Sequence, residues 1–131
     1  MIQTTSLDLS KRLKELDFPQ DTSFYWIDGI SDEATFGLIY RQEDDGINYD
    51  LEGNGIIASP SAGEILDRLP ELLNTPKLGS LTISKYKDEY CVWYSGSDRE
   101  SIFGPIMDFA DESLADAVGK MYIYLKEKKL I

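Results

Sequence analysis

Eight acids and one base occupy residues 28–54: Asp28, Asp32, Glu33, Glu43, Asp44, Asp45, Asp50 and Glu52 against Arg41, a net charge of −7 out of the chain's −11. Carboxylates spaced along an extended surface offer lysine and arginine side chains the same pairing that phosphates do. The chemistry they suggest is docking onto a basic protein surface, including one built to hold nucleic acid. The plainer reading is a solvated hairpin whose acids blunt an exposed sheet edge.

Two other uses of these acids fit less well. Asp50-Leu51-Glu52-Gly53-Asn54-Gly55-Ile56-Ile57 partly imitates a calcium-binding loop, with oxygens at the first, third and fifth positions and glycine at the sixth. The twelfth position is Ser61, where a bidentate glutamate is needed, and a strand-like rather than helical segment precedes the loop, so no metal site is expected. Asp44 with Asp45, or Asp108 with Asp111 and Glu112, would supply paired carboxylates for general acid–base work. Adjacent acids in loops lack the apolar surroundings that separate two pKa values, and Asp111 and Glu112 suit the first turn of a helix. The pairs leave a small carboxylate-based hydrolase as a remote alternative.

The sequence contains no histidine, which removes the Ser-His-Asp triad, the Cys-His pair and histidine metal ligands. Cys91 is the only cysteine, and Tyr90-Cys91-Val92-Trp93-Tyr94 reads as a strand that buries it as a small hydrophobe. Gly53-Asn54-Gly55 is not followed by the lysine of a phosphate-binding loop. Aromatic residues are frequent on the expected strands, among them Phe24, Tyr25, Trp26, Tyr40, Tyr49, Tyr86 and Trp93. Stacking on bases would also require a basic groove, so core packing and cross-strand pairing explain them better. The residues imply no catalytic set, no cofactor and no enzyme.

The elements that must carry the acids are legible from periodicity. Leu9, Leu13 and Leu16 predict a first helix over residues 6–16, stopped before Pro19. Residues 23–28 and 35–41 read as strands, with Phe36, Leu38 and Tyr40 on one face. Asp45-Gly46 marks a hairpin turn, since glycine accepts the positive φ required, and Ile47, Tyr49 and Leu51 continue the alternation on the return strand. Ser61 with Glu64 forms a capping-box pattern for a second helix, whose stripe is Ile65, Leu66, Leu69, Leu72 and Leu73, bent or ended by Pro70. Residues 81–87 and 89–94 form a second hairpin. Trp26 and Trp93 lie in segments apolar on both faces, which points to central strands. Residues 102–109 give no clear periodicity. Ser113 or Asp111 caps a last helix with Leu114, Ala117, Val118, Met121, Tyr122 and Leu125 at spacings of three and four, and with lysines at its C-terminal end.

The order is α-β-β-β-α-β-β-α, an α+β fold with an antiparallel sheet of about five strands and three helices. The 131 residues fit one domain, 1–131, with enough apolar content (42% hydrophobic) to build a core. An acidic chain with a pI near 4.3 lacks the basic face that duplex DNA, RNA or anionic membranes require. Neither a leader pattern nor an apolar run of about 18 residues is visible, so a cytoplasmic protein is expected, monomeric or homodimeric.

Three pieces together resemble small, mostly uncharacterised proteins of phages and integrated mobile elements. The first is Leu13-Lys14-Glu15-Leu16-Asp17-Phe18-Pro19-Gln20 followed by Phe24-Tyr25-Trp26. The second is Ile57-Ala58-Ser59-Pro60-Ser61-Ala62-Gly63-Glu64-Ile65-Leu66, ending in Leu69-Pro70. The third is Leu114-Ala115-Asp116-Ala117 running into Tyr124-Leu125-Lys126-Glu127 and closing on Leu130-Ile131. The resemblance transfers no catalytic residues. It implies proteins that bind host nucleases or defence complexes, anti-CRISPR inhibitors among them, or structural and assembly modules acting as homo-oligomers.

Overall fold

The computed structural model describes residues 3–28, 36–40, 55–74, 78–96 and 108–131. Ser6 opens α1 (Leu7–Glu15), its hydroxyl accepting from Leu9 N. The helix closes on Asp17, which adopts φ 64°, while Asp17 N and Phe18 N bond back to Lys14 O and Leu13 O at 3.1 and 2.9 Å. This Schellman closure, rather than Pro19, satisfies the last carbonyls and folds Phe18 into the core. α3 (Leu114–Glu127) ends the same way: Lys129 has φ 56°, and Leu130 N bonds to Leu125 O at 2.8 Å.

Three strands form sheet 1, in the order β2 (Phe36–Tyr40), β1 (Phe24–Asp28), β3 (Ile56–Ala58), all antiparallel. Four form sheet 2, in the order β4 (Leu72–Asn74), β5 (Leu78–Tyr86), β6 (Glu89–Gly96), β7 (Asp108–Asp111), also antiparallel. The α+β expectation therefore holds, with helices at the three expected places, α2 being Ala62–Leu66. β1 and β6 are interior strands, as their two-sided apolar sequences require.

Two local readings change. Leu72 and Leu73 belong to β4 rather than to the second helix, because Pro70 ends the turn after α2 and β5 offers a partner strand. Residues 108–111, which begin at the end of the aperiodic stretch and run past it, add a strand beside β6. The return strand at Ile47, Tyr49 and Leu51 and its Asp45-Gly46 turn lie outside the described residues.

The main core lies between sheet 2 and the helices. α3 covers the face of β6 carrying Val92 and Tyr94, both fully buried, and places Val118, Met121, Tyr122 and Leu125 against them. α2 contributes Ile65 and α1 contributes Leu13. Cys91 points to the other face of β6 and is only half-buried, correcting its expected burial: the inward positions of that strand belong to its neighbours in the alternation.

Gly119 sets how closely α3 approaches its neighbours. A Cβ there would stand 3.3 Å from Thr5 Cγ2 and 3.7 Å from Ile65 Cδ1. Gly119→Ala is expected to be near neutral, since the helical gain of about 1 kcal/mol offsets the tight contact. Gly119→Leu overfills the seam and is expected to cost about 1–3 kcal/mol, read from thermal melts.

Candidate docking surface

Sheet 1 is the frame on which the acidic stretch is hung. Asp28 pairs with Phe36 and Ile27 with Ile56, so the end of β1, the start of β2 and the start of β3 meet at one end of the sheet. Phe24 pairs with Tyr40 at the opposite end, where their rings approach to 5.1 Å. The chain that carries Asp32 and Glu33 joins Asp28 to Phe36 at the first end. The chain that carries Glu43, Asp44, Asp45, Asp50 and Glu52 leaves Tyr40 at the second end and rejoins β3 at the first. Asp28 has its backbone in β1; its side chain and the other seven acids lie outside the described residues.

The free edge of this sheet at β3 is closed by side chains. Ser59 N bonds to Phe24 O at 2.9 Å, which fixes the phase of the ladder and turns Ile56 O and Ala58 N away from β1. Lys14 Nζ donates to Ile56 O at 3.0 Å, and Ala58 N donates to Gln20 Oε1 at 3.0 Å. One basic and one amide side chain thus occupy the groups an added strand would use. Tyr25 fixes the turn between α1 and β1: its hydroxyl donates to Gln20 O at 2.8 Å and accepts from Thr22 N at 3.2 Å.

A polar knot joins sheet 1 to the helices. Thr5, Ser10 and Ser59 are fully buried. Thr5 O accepts from Ser59 Oγ at 2.8 Å and from the indole Nε1 of Trp26 at 3.2 Å, while the hydroxyls of Thr5 and Ser10 lie 2.6 Å apart. Among the described residues, every buried side-chain nitrogen and oxygen has a partner. Sequence reading missed this group. The one signal available was Ser10, midway between Leu7 and Leu13 on the inward stripe of α1, where a polar residue needs a buried partner.

Of the two carboxylate sets, Asp44 and Asp45 lie outside the described residues, and the strand separates Asp108 from Asp111. Asp108 and Asp111 fall on opposite faces of β7. Burial raises Asp111, but hydrogen bonds from Lys120 at 2.8 Å and Ser113 N at 2.9 Å outweigh it and hold the carboxyl below its usual range. Asp116 moves the other way, raised by burial against the bond it accepts from Ser6 N at 2.7 Å. Ser61, the last position of the calcium-like loop, is the N-cap of α2, accepting from Glu64 N while Glu64 Oε1 accepts from Ser61 N. Among the described residues, no group of three or more acids or cysteines is placed to hold a metal, and no helix is long and apolar enough to cross a membrane.

Two clefts remain. One of about 250 Å³ lies between the turn after α1 and α2, walled by Asp21, Glu64, Asp67 and Arg68 over Phe18. The other, about 320 Å³, runs between α1, α3 and β7 over Leu9, Phe109, Ile123 and Tyr124. At its rim Arg12 is paired with Glu127 at 2.7 Å and Lys120 with Asp111. No family of known proteins, no curated protein and no solved structure matches the chain.

Proposed function

We propose that this chain is a non-catalytic binding protein that occupies a basic surface on a nucleic-acid-handling partner, such as a host nuclease or defence complex. Asp28, Asp32, Glu33, Glu43, Asp44, Asp45, Asp50 and Glu52 supply the docking charge. The observation that carries the reading is the net −7 concentrated in residues 28–54. The convergence of the ends of β1, β2 and β3 supports it, because the connection carrying Asp32 and Glu33 and the one carrying Asp50 and Glu52 both join the sheet at that end, while Glu43, Asp44 and Asp45 follow Tyr40 at the other. The likeness to phage and mobile-element proteins supplies the class of partner and a cytoplasmic site of action.

Affinity capture from the native host identifies the partner. Reversal of Glu43, Asp44, Asp45, Asp50 and Glu52 to lysine then tests the charge. Association driven by this surface is expected to slow about 100-fold on reversal and to weaken steeply with added salt in the wild type. A variant that keeps its fold, by circular dichroism, and its binding rate would remove the acids from the interface.

A second reading, a homo-oligomeric structural or assembly module, rests on a separate feature. Leu38 and Tyr40 share one face of β2 and are 43% and 53% exposed. Solution mass decides it: a dimer that dissociates on Leu38→Glu would favour assembly.

A further inference from the structure

We infer that sheet 1 opens and closes as a unit of its own, locked to the rest of the molecule by the Gln3–Ser6 segment acting as a strap. The inference concerns the folding unit and stands whatever the acids bind.

Three observations carry it. The apolar interior is divided. Sheet 1 has a separate cluster of Tyr25, Ile56 and Ala58 with Ile27 packed against it, while the larger cluster around Val92, Tyr94 and Met121 belongs to sheet 2 and the helices. Among the described residues, three short strands over a cluster of this size are marginal alone and draw stability from what holds them down.

Besides the bonds that Lys14 and Gln20 make to β3, a polar set that holds them down converges on one short segment. Thr5 O takes the hydrogen bonds of Trp26 from β1 and of Ser59 just after β3, and Thr5 N donates to Pro60 O at 3.0 Å. Thr4 forms an isolated antiparallel bridge with Ser61 at the start of α2. The same segment is fastened to α3 at two points. Leu114 N donates to Gln3 Oε1 at 3.1 Å, and Ser6 N donates to Asp116 Oδ1 at 2.7 Å. A line of hydrogen bonds therefore runs from β1 and β3, through residues 3–6, into the first turn of α3.

These bonds also differ in kind from those inside sheet 2. At the sheet 1 end Thr5 and Ser59 are fully buried, so a bond broken there strands a desolvated polar group, whereas the bonds to α3 are part-buried at Asp116 and exposed at Gln3. Trp26 is the residue that couples most directly: its ring belongs to β1 and its N–H to the strap. Local opening units of this kind coincide with supersecondary motifs whose buried apolar contacts are few.

Residue-level amide hydrogen exchange on the full chain tests the lock. Ser59→Ala removes a donor at the sheet 1 end of the line, and Asp116→Ala removes an acceptor at the α3 end. Each is expected to speed exchange of the β1 and β3 ladder amides by about tenfold or more, while Val92 and Tyr94 in β6 and Met121 in α3 keep their wild-type rates. Asp116→Asn, which retains an acceptor oxygen for Ser6 N, is expected to exchange in sheet 1 at close to the wild-type rate. Parallel acceleration in sheet 1 and β6 would show one cooperative unit and overturn the proposal. So would unchanged sheet 1 rates in both alanine variants. Should Ser59→Ala fail to fold, the Asp116→Ala and Asp116→Asn pair gives the same decision.

Discussion

Tyr25→Ala is expected to cost about 3–5 kcal/mol in the stability of sheet 1, a substantial part of the 5–15 kcal/mol available to a typical domain. Tyr25 is fully buried and is the largest member of the small cluster it shares with Ile56 and Ala58. Among the described residues, that cluster has few other side chains to collapse into the space, so the cost is expected in the upper part of the range for large-to-small changes. The phenol contributes separately through Gln20 O and Thr22 N. Tyr25→Phe keeps the ring and loses these bonds, for about 1 kcal/mol. Amide exchange in β1 reads the loss most directly. A urea midpoint that stays at the wild-type value in Tyr25→Ala, with β1 still protected, would mean that the second cluster contributes little.

Raising the pH above about 10 is expected to destabilise the protein through Tyr94, and Tyr94→Phe is expected to remove that sensitivity. Burial pushes this phenol up to about 12 from its ordinary value near 10, and its hydroxyl donates to Pro70 O at 2.6 Å. The folded pKa lies above the unfolded one, so the protonated phenol's contribution is fully present below pH ~10 and is lost as the pH rises through about 12. At neutral pH Tyr94→Phe should be the less stable protein by about 1 kcal/mol, because Pro70 O loses its donor. As the pH passes from 10 towards 12 that order should narrow and then reverse. Urea midpoints for the two proteins at pH 7, 10 and 11 measure it; curves that fall in parallel would mean Tyr94 ionises without leaving its site.

Local features of this fold are written plainly in the sequence. The stripe from Leu114 to Leu125, the Ser61 and Glu64 capping box and the Lys87-Asp88 hairpin each depend on residues a few positions apart, and each is found. The division into two sheets is not legible, because it depends on which strand pairs with which across long separations. β4 shows the difficulty on a small scale: Leu69, Leu72 and Leu73 keep helical spacing, and only pairing with β5 makes a strand of the last two. The first helix ends where the sequence predicts, but the way the helices close is hidden for a chemical reason. Asp17 and Lys129 hold the left-handed position where glycine is the usual signal.

The candidate site divides similarly. The sign and density of its charge are sequence properties, whereas the meeting of Asp28, Phe36 and Ile56 at one end of sheet 1 is a property of register. The Thr5 knot lay beyond reach because its central acceptor is a backbone carbonyl, which every residue has and no side-chain pattern announces.

The strap also fixes an order of events in time. Ser6 and Asp116 are separated by 110 positions, whereas β1 with β2 and β5 with β6 pair across short connections. Closing so long a loop costs entropy before any bond rewards it, so the strap's contacts with α3 are expected to form late in folding, after the rate-limiting barrier. Changes in the strap would then leave the refolding rate nearly untouched and appear almost wholly as faster unfolding. Kinetic persistence of the acid-bearing sheet is in this way set by residues that play no part in starting it.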